Sequence, residues 1–136
     1  MIWHAARQGA EAFNRRDFEA VLIGRHPKAE YHPPRELVEG GGLEAIYRGH
    51  EGYLKFVNEW LSAWGEFQGQ PRELIDLGDQ LVLLGEAVGR GEVSGVPVRE
   101  TYATVVSFTH GSVIRERYYA DAVRALEAAG LLEAER

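Results

Sequence analysis

Proton transfer at neutral pH needs a titratable group held beside apolar surface, and few residues of this chain fit. They are His32 before Pro33-Pro34, Glu116 and Tyr118 two apart in an alternating segment, Asp121 just after it, and Tyr102 upstream. A histidine titrates near neutral pH. A glutamate buried beside aromatic rings has a raised pKa and can act as a general acid. Each residue also has an ordinary reading. Asp121 reads as the N-cap of a last helix. His32 reads as a strand-end histidine bonded to backbone. Glu116 reads as a partner of Arg115 or Arg117 on a solvated face.

Other chemistries are excluded or weak. There is no cysteine, so thiolate chemistry and disulfides are absent. His26, His32 and His50 match no compact ligand spacing, so no metal is expected. Gly40-Gly41-Gly42 and Gly89-Arg90-Gly91 lack the strand-glycines-helix setting of a phosphate loop. No cofactor is implied. A net charge of −6 argues against a nucleic-acid partner.

The elements that must position these residues follow from periodicity. At 136 residues, 45% hydrophobic and 26% charged, the chain is long enough to bury a core as one domain, 1–136. Ile2, Ala6, Ala10 and Phe13 recur at helical spacing. Asp17 caps a second short helix that ends at Gly24. Residues 29–32 form a short strand stopped by Pro33-Pro34. Residues 35–46 read as a glycine-bearing loop and a candidate lid. Residues 51–64 form a helix with two apolar stripes, Tyr53, Phe56 and Trp60, then Leu54, Val57, Leu61 and Trp64. From Phe67 the period is two. Strands are expected over 80–88, where Leu81-Val82-Leu83-Leu84 suggests burial on both faces, over 96–108 and over 113–119. A glycine-rich connection spans 89–95, and a helix over 122–129 closes at Gly130.

The order of Phe13-Asn14-Arg15-Arg16-Asp17, His26-Pro27, Tyr31-His32-Pro33-Pro34, Tyr47-Arg48-Gly49-His50-Glu51-Gly52, Leu74-Ile75-Asp76-Leu77-Gly78-Asp79 and Arg117-Tyr118-Tyr119-Ala120-Asp121 carries a resemblance. Over nearly its whole length the chain resembles the SnoaL-like polyketide cyclases and ketosteroid isomerases of the nuclear transport factor 2-like superfamily. The resemblance implies an α+β fold: a cone-shaped, curved, mostly antiparallel sheet packed with N-terminal helices around one deep cavity. It also implies a homodimer through the outer sheet face.

The resemblance places catalytic roles by position. The isomerases' general base falls at His32 and the cyclases' acid/base aspartate at Asp121. Positions matching the isomerases' oxyanion hole fall near Gly9 and Thr104, without its tyrosine or carboxylic acid, which argues against steroid isomerisation. The epoxide hydrolases' Asp-Arg-Asp group finds two members, Arg117 and Asp121. Alternation groups Tyr102 with Thr104 and Glu116 with Tyr118, and the resemblance to the isomerases implies that both sets face the cavity, with Phe56 and Trp60 as further wall. The expectation is a pocket for a small apolar or aromatic molecule. Its chemistry would be cofactor-free proton transfer next to a carbonyl, with His32 or Asp121 as base and Tyr118, Tyr102 or Glu116 as donor. The alternatives are a non-catalytic binding or dimerisation module and an epoxide hydrolase. The start Met1-Ile2-Trp3-His4 has no signal-peptide pattern and no run is long enough for a membrane span, so a cytoplasmic protein is expected.

Overall fold

The computed structural model describes residues 2–62 and 64–131, with side chains from residue 5 onward except 64 and 65. Two features organise it: one six-stranded sheet, and helices packed on its faces, with α1 and α4 on the concave side and α5 on the convex side. The helices are α1 (Ile2–Asn14), α2 (Phe18–Leu22), α3 (Arg35–Glu39), α4 (Gly49–Leu61) and α5 (Ala122–Ala128). The strands are β1 (Arg25–His32), β2 (Tyr47–Arg48), β3 (Trp64–Asp76), β4 (Gln80–Gly91), β5 (Pro97–Thr109) and β6 (Ser112–Tyr119). Their order across the sheet is β2-β1-β6-β5-β4-β3. Among the described residues only β1 and β6 pair in parallel; the other strand pairs are antiparallel. The sheet is curved and unclosed, an α+β cone.

Local chemistry explains the corners. The Asp17 side chain accepts from Ala20 N at 3.2 Å and so caps α2. Arg16 takes a positive φ of 64° between the two helices and donates to the carbonyls of Phe13 and Phe67. Those bonds fix α1 against β3. At the β5–β6 turn both His110 and Gly111 have positive φ, 49° and 80°. That pair of conformations matches the right-handed twist of a two-residue hairpin.

The buried side chains form two clusters. One lies between the helices and the concave face, with Tyr31, Tyr47, Tyr53, Phe56 and Val57 at its centre. The other lies on the convex face, where Ala125 of α5 packs on Val82, Ala103 and Val105.

Several sequence expectations shift. The first strand begins at Arg25, four residues early, because Arg25 pairs with Val113 ahead of a register irregularity. The stretch 35–46 is not wholly loop, since α3 forms behind Pro34. The Trp-bearing helix starts at Gly49 and ends at Leu61, and Trp64 opens β3 instead. Gly89 and Gly91 belong to β4, so the β4–β5 connection is shorter than the glycines suggested. The side chains of Ile2 and Trp64, assigned to apolar stripes, lie outside the described residues.

Candidate active site

The concave face and its helices enclose a cavity of about 1670 Å³, partly open to solvent. Each wall has a local origin. The stripe on α4 turns Tyr53, Phe56 and Trp60 inward, and α1 adds Phe13. Alternation sends Phe67 of β3, Leu81 and Leu83 of β4, and Tyr102, Thr104 and Val106 of β5 to the same side. Glu116 and Tyr118 complete the row from β6. The rings contact one another: Phe56 lies 5.3 Å from Tyr118, and Trp60 meets Phe67 edge-on at 5.9 Å.

A buried carboxylate stands in this largely apolar wall. Glu116 is 7% exposed, and Thr104, one strand over, is 3% exposed. Glu116 Oε1 accepts from Arg25 Nη1 and from the Tyr118 hydroxyl, the latter at 2.8 Å. Both contacts use Oε1, so Oε2 is the oxygen left for other work. Arg25 is itself clamped. Its Nε donates to Val21 O at 3.1 Å, and its guanidinium lies over the Tyr53 and Tyr31 rings, 5.1 and 5.5 Å from their centroids. The Tyr31 hydroxyl beside it is buried with no hydrogen-bond partner among the described residues.

Burial and Glu116 together set the protonation of this cluster. Burial opposes the Arg25 charge, but the adjacent Glu116 carboxylate together with Tyr118 and Tyr53 outweighs it and holds the pKa well above the usual value. Burial, then the negative charge of Glu116, pushes Tyr118 well above the ordinary phenol range. The same two causes push Tyr102 up to about 12. Both phenols therefore keep their protons throughout the neutral range and remain hydrogen-bond donors.

The structure brings six of the residues singled out in the sequence to one cavity: Glu116, Tyr118, Tyr102, Thr104, Phe56 and Trp60. The reading of Glu116 as a solvated partner of Arg115 or Arg117 is overturned. It faces inward to Arg25, whereas Arg115 faces outward to Glu30. His32 and Asp121 are not among the cavity residues. The His32 ring meets Glu30 Oε1 at 3.0 Å, and Glu30 also draws Arg48 and Arg115. Asp121 accepts from Arg124 N at 2.9 Å as the N-cap of α5. His26 accepts from Lys28 N, and His50 lies 3.3 Å from the Arg25 carbonyl, so the three histidines do not converge. Arg25, Tyr31 and Tyr53 were not singled out for the site. Arg25 precedes the strand as read from sequence, and its partner lies 91 residues away.

A family model described as SnoaL-like domain matches residues 6–116. The chain belongs to the SnoaL-like family. No curated protein matches it in sequence. Among solved structures, this SnoaL-like chain is similar to TerC co-crystallised with polyporic acid, at 26% identity and TM-score 0.77, covering 91% of this chain and 94% of that one. It is similar to an NTF2-like protein of unknown function from Burkholderia pseudomallei, at 24% identity and TM-score 0.78, covering 97% of each. A putative SnoaL-like polyketide cyclase from Mesorhizobium loti shares the fold at 17% identity and TM-score 0.64, with 88% and 98% covered. No helix among the described residues is long and apolar enough to cross a membrane.

Proposed function

We propose that this SnoaL-like chain binds a small aromatic carbonyl compound in its cavity and moves a proton on it without a cofactor. The observation that carries the reading is the Arg25–Glu116–Tyr118 cluster set in a largely apolar, aromatic-rich wall. An apolar cavity with a few convergent polar groups is the usual form of a small-ligand site. The likeness to TerC, crystallised with polyporic acid, supports an aromatic occupant. Glu116 Oε2 takes the proton from the carbon next to the carbonyl. The developing oxygen charge is met by the Tyr118 hydroxyl, which keeps its proton and stands within hydrogen-bond reach of Glu116. Glu116 then returns the proton to the same or a conjugated carbon, so the reaction balances as exchange or isomerisation. In this mechanism Glu116 replaces His32 and Asp121 as the base, because neither of those two lines the cavity. Arg117 and Asp121, the pair offered for epoxide hydrolysis, are also absent from its lining.

A second reading, a binder without turnover, is favoured by one observation: Glu116 is ion-paired to Arg25. Two measurements separate the readings. Quenching of tryptophan fluorescence by polyporic acid tests binding, and saturable quenching is expected. Deuterium uptake next to the carbonyl of 2-tetralone, followed by NMR in D2O, tests turnover. Glu116→Gln should slow that uptake by about 100-fold or more while quenching persists. Uptake that is equal in both proteins, or no faster than buffer, leaves only the binder. No saturable quenching by any aromatic probe sinks both.

A further inference from the structure

The Tyr102 ring has an unusual seat. Tyr102 stands opposite Gly85 in the β4–β5 ladder, and Gly85 stands opposite Pro71 in β3. A Cβ on Gly85 would lie 2.7 Å from both Cζ and Oη of Tyr102. One on Gly69 would lie 3.6 Å from the same hydroxyl. The phenol thus lies flat across bare backbone, over β4 and toward β3, rather than standing up from the sheet. Any side chain at position 85 would occupy that seat. Position 85 falls in the inward row with Leu81, Leu83 and Ala87, so a displaced ring has only the cavity to move into.

The seat lies toward the more exposed end of the inner row, where Glu100 and Val98 lie beyond it along β5. Tyr102, Thr104 and Val106 follow one another along β5, and Glu116 stands opposite Val106. Tyr102 and Glu116 are therefore four residues apart along the strands, about 13 Å of rise. A ligand whose reacting end reaches Glu116 extends its far end toward Tyr102.

We propose that Gly85 is the residue that sets ligand length, a positioning residue that acts by seating Tyr102 flat and so keeping the far end of the cavity open for a second aromatic ring. The proposal rests on the reading of the cavity as an aromatic ligand site. It names the class within that reading: biaryl or fused-ring compounds with an oxygen at one end, rather than single-ring phenols.

Crystal structures and a ligand ladder test it together. In Gly85→Ala the Tyr102 ring is expected to lift from β4 and shorten the cavity; a ring that stays on its seat overturns the proposal with no ligand needed. Affinity is then read for phenol and 4-phenylphenol by fluorescence titration. Gly85→Ala should weaken 4-phenylphenol by about tenfold or more while changing phenol little, a difference of about 1.4 kcal/mol. The new methyl also meets the Gln70 carbonyl oxygen at 2.7 Å, so a distorted β3 is the rival cause. The double variant Gly85→Ala with Tyr102→Ala decides between them. Restored binding of 4-phenylphenol supports the seat, and equal loss of both ligands without restoration overturns it. Tyr102→Ala alone should fold and accept the longer ligand at least as well as wild type. If wild type binds neither probe, the aromatic-site reading fails, and the crystal structures still judge the seat.

Discussion

Glu116 and Arg25 bind each other at a cost that shapes what either can be used for. Two charges taken from water lose solvation, and their mutual attraction repays it only when both are present. Their side chains are 9% and 15% exposed, so little water remains to compensate a missing partner. Arg25→Met should therefore destabilise the fold by on the order of 3–5 kcal/mol, because Glu116 is left buried and unpaired. Pairing it with Glu116→Leu should recover much of that loss. Urea unfolding of the two singles and the double checks this; strictly additive losses would mean the pair is not coupled. The same residues show what sequence could and could not say. Alternation paired Glu116 with Tyr118 and Tyr102 with Thr104, because a strand has only two faces, and the family resemblance chose the face that turns to the cavity. It offered no route to Arg25. That residue precedes the strand as its apolar pattern defines it, and it enters the site through a pairing irregularity with β6.

Helix caps were legible at the element scale because they are local. Asp17 and Asp121 each accept from the backbone N–H three residues on, as their place before an apolar run predicts. Short or hybrid elements were not. The helix α3 has five residues, no side-chain cap bond and no buried residue, so neither a cap nor an apolar stripe marked it in the sequence. The stretch at Trp64 read as the end of a helix because its apolar spacing suits either period. Asp121 also permits a test of role. Asp121→Ala should cost about 1 kcal/mol, the usual worth of an N-cap, and loosen α5 from Ala103 and Val105. Deuterium uptake by bound ketone should stay within about twofold of wild type, since a cap of that worth leaves the cavity wall in place. A fall as large as that expected for Glu116→Gln would return Asp121 to the chemistry.

The whole molecule is unusual in where it keeps its phenols. Of its six tyrosines, Tyr31, Tyr47, Tyr53, Tyr102 and Tyr118 all have pKa values pushed upward, with burial the first cause in each. An unfolded chain titrates its phenols near pH 10. Between that value and the folded ones, about 12 for Tyr47 and Tyr102, the folded state binds more protons than the unfolded state. Stability is then fully present below about pH 10 and falls as pH rises through the folded values. The cavity is thus a device whose aromatic lining doubles as its core, with the same rings closing the site and holding the helices to the sheet. The consequence is a single cooperative alkaline transition. Tyrosinate absorbance should stay low past pH 10 and then rise together with the loss of far-ultraviolet circular dichroism. A gradual rise centred near pH 10, with the secondary structure intact, would mean that the rings are reached by solvent in the folded state, and that the cavity wall is not also the core.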